Sequence, residues 1–315
     1  MVNISQALLR ATTKLQHADI NSASLDAEIL LSLVLHQSRE YILAHPAKII
    51  TTRQANKFRQ LISRRARFMP VAYLTGEKEF YGRPFYVDKR VLIPRPETEQ
   101  IVDIAKRVTQ NTKHGISIID IGTGSGCIII TLAKELTNNT NKFTFTGIDI
   151  SPPALLVARK NASRHRIKKT IKFMRGNLLE PIFSMVSSPQ QRGSRNPINE
   201  ILITANLPYL DSDMPNLLQS ADSKSLKYEP KIALAGGKDG LKYYRELAKQ
   251  IKQLLRHNPR LPLNLICEIG ETQNTAIKTI FSFANQIDIK KDLAGLNRIV
   301  VIKCQNSNFK FQKNS

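Results

Sequence analysis

From Ile116 onward, apolar β-branched runs alternate with amphipathic helical stretches, and this alternation restricts the chain to a mostly parallel sheet with right-handed crossovers. The predicted strands are Ile116 to Ile121, Phe143 to Ile148, Ile171 to Met174, Ile201 to Thr204 and Leu263 to Glu268. Between them the apolar spacing predicts a helix through Leu136 and further helices over Pro152 to His165, Leu241 to Leu255 and Thr275 to Phe283. Two last strands, Ile287 to Lys291 and Arg298 to Lys303, are separated by Leu293 to Asn297 and can pair antiparallel. Ser184 to Asn199, rich in Ser, Pro, Gln, Arg and Asn, reads as a mobile insertion, and residues 306–315 as a disordered tail.

The chain before this α/β part has a different period. From Asn3 to about Leu74 the apolar residues recur at helix spacing, with Ile4, Ala7, Leu8, Ala11 and Leu15 on one face and Phe58, Leu61 and Ile62 on another. Phe80 to Val87 then reads as two short strands around a Gly/Pro turn. Three parts follow: a helical domain over 1–75, a β-hairpin linker over 76–95, and an α/β domain over 96–305. A length of 315 residues suits one large and one small domain, at roughly 150 residues per domain.

Composition excludes some classes. Hydrophobic residues make up 42% of the chain, but no uninterrupted apolar run approaches the roughly 18 residues of a membrane span. Met1 to Arg10 is amphipathic and is not a signal peptide. Cys127, Cys267 and Cys304 lie far apart, match no metal-ligand spacing and read as reduced core residues of a cytoplasmic protein. His17, His36 and His45 have no cysteine or carboxylate partner at metal-binding spacing, so no metal site is expected. The formal charge of +22 suits an anionic partner such as RNA, the ribosome or an acidic protein. Its concentrations at Arg53 to Arg67 and Arg159 to Arg175 read equally as solvated helix faces.

Two stretches carry chemistry. In Asp120-Ile121-Gly122-Thr123-Gly124-Ser125-Gly126, glycines stand where the backbone must turn sharply after a strand and let a ligand approach. Asp149, ending the next strand, can accept both hydroxyls of a ribose. Spacing alone leaves NAD and S-adenosylmethionine open. The missing later glycine, the lack of a basic residue for a pyrophosphate and the antiparallel final strand favour the methyl donor. Further on, Asn206-Leu207-Pro208-Tyr209 follows a strand that Pro208 cannot continue. The Asn206 side-chain oxygen and the Leu207 carbonyl form a paired acceptor that suits one planar NH2 group, and Tyr209 offers a flat face beside it.

Leu92 to Glu99, Gly122 to Gly126, Asn206 to Tyr209, Tyr228-Glu229-Pro230, Glu268-Ile269-Gly270 and Lys291 to Gly295 together resemble the release factor glutamine N5-methyltransferases of the PrmC/HemK type. The resemblance covers nearly the whole chain. It implies a class I, Rossmann-like methyltransferase fold with a mostly parallel seven-stranded sheet, joined by the β-hairpin to a small all-α substrate-recognition domain. It also implies S-adenosylmethionine as donor and, as substrate, the glutamine of the Gly-Gly-Gln loop of peptide chain release factors. By position, Gly122, Thr123, Gly124, Ser125 and Gly126 would border the methionine part of the cofactor, Asp149 the ribose, and Asn177 and Leu178 the adenine. Asn206, Leu207, Pro208 and Tyr209 would hold the substrate amide, with Asn206 also beside the cofactor.

There are two departures from the family pattern. Leu207 stands where the family usually has a second proline, and Asn177 where an acid is common. Leu207 loses one φ restraint but keeps the backbone carbonyl, and it makes the motif similar to the Asn-Leu-Pro-Tyr of ribosomal RNA adenine dimethylases. The alternatives are therefore a nucleic-acid adenine-N6 methyltransferase, a ribosomal-protein glutamine methyltransferase, which the Pro94 to Thr98 run argues against, and a noncatalytic ribosome-associated module. The expected enzyme is a monomer.

Overall fold

The computed structural model describes residues 2–110, 112, 115–136, 142–186, 200–211 and 224–304. Most of the predicted insertion, from residue 187 on, and the predicted tail lie outside the described residues. The chain divides into two compact units. The first holds residues up to 78, residues 87–89 and, of the later chain, the described residues 224–230. The second holds 79–86 and the described residues of 90–213 and from 231 on.

The first unit includes the helices α1 (Ile4–Gln16), α2 (Ala23–Leu35), α3 (Arg39–Ala44), α4 (Thr52–Arg65) and α5 (Val71–Thr75). Asn3 and Thr51 start α1 and α4 by the same device. Each side-chain oxygen accepts from the backbone N–H three residues on, and Gln6 or Gln54 reaches back to the cap. Ile4, Ala7, Ala11 and Leu15 pack with Ala27, Leu30, Leu31, Phe58, Leu61 and Ile62 in one core, as the helical period predicts. Helical periodicity does not reveal the small ribbon in which β1 (Val2–Asn3) pairs antiparallel with β2 (Ile49–Ile50), because two residues carry no readable period.

The predicted hairpin is present as β3 (Glu77–Phe80) and β4 (Arg83–Tyr86). Tyr81 and Gly82 both have positive φ, the requirement of a two-residue turn that matches strand twist.

The second unit runs α6 (Glu99–Thr109), β5 (Ile116–Ile121), α7 (Cys127–Leu136), β6 (Phe143–Asp149), α8 (Pro152–Arg164), β7 (Ile171–Arg175), α9 (Glu180–Val186), β8 (Glu200–Ala205), α10 (Lys242–His257), β9 (Leu263–Glu268), α11 (Asn274–Ile280), β10 (Gln286–Lys291) and β11 (Asn297–Cys304). Seven strands form one sheet in the order β10-β11-β9-β8-β5-β6-β7. Strands β5 to β9 are parallel, and β11 is antiparallel to both its neighbours. Ile116, Ile118 and Leu202 pack on one face with Ile101, Val102, Ile129 and Leu132. Ile119, Ile121 and Ile203 pack on the other with Tyr244, Leu247, Ile251 and Ile277. Both faces being covered explains why these strands read as continuous apolar runs and not as alternating ones. Two element ends differ from expectation. The helix α11 stops at Ile280, although Phe281 and Phe283 still face the core, and α9 occupies the start of the predicted insertion.

The chain leaves β5 toward β6 and β7, then returns to place β8 on the opposite side of β5. In such sheets the point of reversal opens a crevice at the strands' carboxyl ends. A buried polar tie marks it: the Asp120 carboxylate accepts from the hydroxyls of Thr123 (2.6 Å) and Thr204 (2.8 Å), joining β5, the loop after it and β8. Burial pushes the Asp120 carboxyl from 3.8 up to about 7. Since the folded value lies above the unfolded one, the native state keeps a proton that the unfolded chain gives up between them. The resulting stability is complete below the unfolded value and is lost as pH rises through about 7. Asp120→Asn is expected to flatten the decline in stability between about pH 4 and pH 7; denaturant unfolding at a series of pH values checks this, and an unchanged slope would count against it.

Candidate active site

Strand β8 is buried along Ile201–Ala205 and delivers Asn206, half-buried, at its carboxyl end. Pro208 has no N–H to offer a ladder. The backbone is caught again at Leu210, whose N–H donates to the Leu234 carbonyl (3.1 Å) and whose carbonyl accepts from the Gly236 N–H (2.8 Å). Between these anchors the Leu207 side chain is 3% exposed and belongs to the sheet core. The glycine loop after β5 lies alongside: a Cβ on Gly122 would sit 3.7 Å from Leu207 Cδ2 and 3.9 Å from the Asn206 carbonyl oxygen.

Within that loop the five residues have different tasks. Gly122 and Gly124 have φ of +67° and +53°, and they are the loop residues that remain accessible. Thr123 and Ser125 are buried. The Thr123 hydroxyl is given to Asp120 and its N–H to the Ile148 carbonyl, and the Ser125 carbonyl accepts from Asn161 Nδ2 at 2.9 Å. Gly126, with φ of +80°, is a packing glycine. A Cβ there would stand 2.9 Å from Ile130 Cδ1 and 3.3 Å from Ala158 Cβ, where α7 and α8 approach.

Asp149 ends β6 and ties the loop down. One carboxylate oxygen accepts from the Gly124 N–H and the other from the Ser151 N–H, both at 2.8 Å. Burial raises its pKa, and these two N–H groups oppose the rise. Each oxygen has a further lone pair to offer. The neighbouring Ile150 is 48% exposed, an aliphatic surface that sequence reading passed over. After β7, Leu178 is buried with φ of +53°, and the Asn177 side chain donates to Glu180 Oε1 at 3.2 Å. The sheet thus brings Gly122, Gly124, Asp149, Asn177, Leu178 and Asn206 to the carboxyl ends of four adjacent strands.

Two further residues join Asn206, each lying within a motif stretch but not itself expected at the site. Thr98 closes the 3-10 turn Pro96–Thr98, and Glu268 ends β9. Both are 2% exposed. Asn206 Nδ2 donates to Thr98 Oγ1 and to Glu268 Oε2, each at 3.0 Å. The Thr98 hydroxyl donates to the same Glu268 oxygen at 2.6 Å, and the Tyr209 hydroxyl donates to Oε1 at 3.0 Å. Burial and the adjacent Glu268 raise the Tyr209 pKa, so its hydroxyl stays a donor. A carboxylate at the very end of a buried strand is a sequence signal that could have singled out Glu268; Thr98 carries no comparable signal.

Cys127, Cys267 and Cys304 are all buried and unpaired, as read. Burial pushes the Cys127 thiol up to about 12, so it stays protonated and is no nucleophile. No helix among the described residues is long and apolar enough to cross a membrane.

Residues 6–76 match the family model of the PrmC N-terminal domain, and residues 112–285 match a methyltransferase domain. The release factor glutamine methyltransferase of Nitratidesulfovibrio vulgaris is 32% identical over 298 residues, covering 94% of this chain and 93% of the relative. That of Vibrio cholerae is 32% identical over 305 residues, covering 95% and 96%. The bifunctional methyltransferase of Rickettsia prowazekii is 34% identical over 325 residues, covering 97% of this chain but 58% of the relative, so the chain spans less than two thirds of such bifunctional relatives. Among solved structures, the hMettl16 catalytic domain in complex with the MAT2A 3'UTR hairpin 6 superposes with a TM-score of 0.52 at 15% identity, covering 79% of this chain and 83% of that one, a likeness of fold alone.

The loop geometry makes a stability prediction. Gly126→Ala meets both an unfavourable φ and a clash, whereas Gly295→Ala, also at φ of +80°, has nothing within 4 Å of the new Cβ. Urea unfolding is expected to show a loss of about 2–4 kcal/mol for the first and about 1 kcal/mol for the second; equal losses would mean that packing at Gly126 is immaterial.

Proposed function

The chain belongs to the release factor glutamine methyltransferase family, and we propose that it transfers the methyl group of S-adenosylmethionine to the side-chain amide nitrogen (N5) of the glutamine in the Gly-Gly-Gln loop of a peptide chain release factor. The observation that carries this reading is the Asn206 carboxamide at the reversal point of the sheet. Its nitrogen faces Thr98 and Glu268, which leaves its oxygen as an acceptor.

The residues fit the cofactor. Gly122 and Gly124 present bare backbone, Asp149 has lone pairs to spare for ribose hydroxyls, and Asn177 and Leu178, with the exposed Ile150, would border the adenine. Thr123, Ser125 and Gly126 would act by shaping the loop. Bound there, S-adenosylmethionine supplies an electrophilic methyl group on its sulfonium.

The chain's own residues do the rest by orientation. An amide nitrogen is a poor nucleophile because its lone pair is delocalised into the carbonyl. Asn206 Oδ1 and the Leu207 carbonyl accept the two substrate N–H bonds, and Tyr209, its hydroxyl anchored on Glu268, packs against the amide plane. Such positioning can supply roughly 7–11 kcal/mol of the barrier. Where the family has a second proline, core burial of the Leu207 side chain restrains the same segment.

The same reading takes residues 1–75 as the substrate-recognition part, the chain as a cytoplasmic monomer, and the +22 charge as favouring work near the ribosome or RNA. A second reading, adenine-N6 methylation of nucleic acid, is favoured by Leu207 and by that charge, since adenine also presents a planar NH2.

Labelled methyl transfer separates the two, with a release factor, its Gln-to-Ala loop variant and ribosomal RNA offered side by side. Label is expected on the intact factor alone; label on RNA would move the assignment to adenine. Asn206→Ala is expected to lower turnover by about 100-fold or more while leaving cofactor affinity within a few-fold. Equal losses in both would assign Asn206 a structural role.

A further inference from the structure

A carboxamide is almost symmetric in shape. Its oxygen and its NH2 differ little in size, so packing cannot choose between two orientations related by a half turn; only hydrogen-bond polarity can. For Asn206 the choice decides function, because the flipped group would turn two donors toward a substrate that itself brings two donors. Resting on the reading of Asn206 as the holder of the substrate amide, we infer that Glu268 and Thr98 are positioning residues that lock the Asn206 carboxamide with Oδ1 facing the substrate.

The lock follows from where the protons can go. An ionised carboxylate only accepts. At 2.6 Å from Glu268 Oε2 the single hydroxyl proton of Thr98 is committed to the carboxylate, so the Thr98 oxygen turns a lone pair toward Asn206. Both atoms that meet the Asn206 nitrogen, each at 3.0 Å, are therefore acceptors. A flip would press Oδ1 against two acceptors and take a donor away from a buried carboxylate, a loss that is costly in a low-dielectric site. The second carboxylate oxygen is held by the Tyr209 hydroxyl, and the Tyr244 hydroxyl donates to the Glu268 backbone carbonyl at 2.6 Å. Burial raises the Glu268 pKa, while the hydrogen bonds from Thr98 and Tyr209 and the nearby Arg298 charge support the ionised form. The two partners come from β9 and from the turn before α6, both separate from β8, so the orientation is imposed by the tertiary structure and not by the Asn206 segment itself.

The test combines kinetics with a substrate-free readout. Glu268→Gln brings a donor into the carboxylate position, Thr98→Val removes the acceptor, and Thr98→Ser restores it. In methyl transfer to the release factor, Glu268→Gln and Thr98→Val are expected to lower kcat by about 10- to 100-fold with cofactor Kd within about threefold, and Thr98→Ser to stay within about threefold of the parent. Because these residues act through Asn206, the double variant Asn206→Ala/Glu268→Gln is expected to be no slower than Asn206→Ala alone. Multiplicative losses, or a Thr98→Ser variant as slow as Thr98→Val, would overturn the inference.

In the free, 15N-labelled protein, the Asn206 side-chain NH2 resonances, identified by their disappearance in Asn206→Ala, are expected to move in both Glu268→Gln and Thr98→Val. Unmoved resonances would also overturn it. Should Glu268→Gln fail to fold, Thr98→Val against Thr98→Ser carries the same decision. A parent enzyme that labels no release factor, with resonances that do move, would sink the substrate assignment and leave the lock standing.

Discussion

A carboxylate buried at the end of β9 is the constraint on which the site turns. Glu268 is 2% exposed, and an ionised carboxylate at such a depth is tolerable only when its oxygens are supplied with donors. Thr98, Asn206 and Tyr209 supply them, and in doing so each gives up its freedom to point elsewhere. The desolvation of one acid is thus converted into fixed directions for three polar side chains, two of which belong to the Asn206 to Tyr209 segment. Orientation of this kind is what the proposed reaction on a weakly nucleophilic amide requires.

The sheet makes that carboxylate possible. Placing β8 between β5 and β9 sets Asn206 beside the glycine loop on one side and beside Glu268 on the other. A second buried acid, Asp120, ties β5 to β8 through Thr204 and holds the loop through Thr123. The two acids do different work. Asp120 sits inside the sheet and shapes the loop's inner side, whereas Glu268 stands at the strand end and fixes groups that reach the crevice. Asp149 forms a third tie, holding Gly124 to the end of β6 while keeping lone pairs for a ligand.

Much of this was legible before any coordinates, and for identifiable reasons. Strands buried on both faces must be apolar throughout, so Ile116–Ile121 and Leu263–Glu268 stand out with their ends in place. Helix ends are less visible where tertiary packing continues past them, as at α11, where Phe281 and Phe283 keep facing the core after the backbone has left the helix. In the glycine loop the spacing marked five residues alike, yet their tasks separate only when neighbours are present. Gly126 is required by Ile130 and Ala158, which come from two helices, and Thr123 is turned inward by an acid three residues away.

Period and composition by themselves determined the class of fold, the glycine turn, the acid that ends β6 and the Asn206 to Tyr209 segment, because each is written in contiguous residues whose local conformations allow few alternatives. Which way the Asn206 carboxamide faces was decided only by the tertiary structure. Thr98 and Glu268 stand 108 and 62 residues away along the chain, and no local preference can choose between the two ends of an amide. That choice needs acceptors placed at the nitrogen end of the amide, and only the folded sheet brings them there.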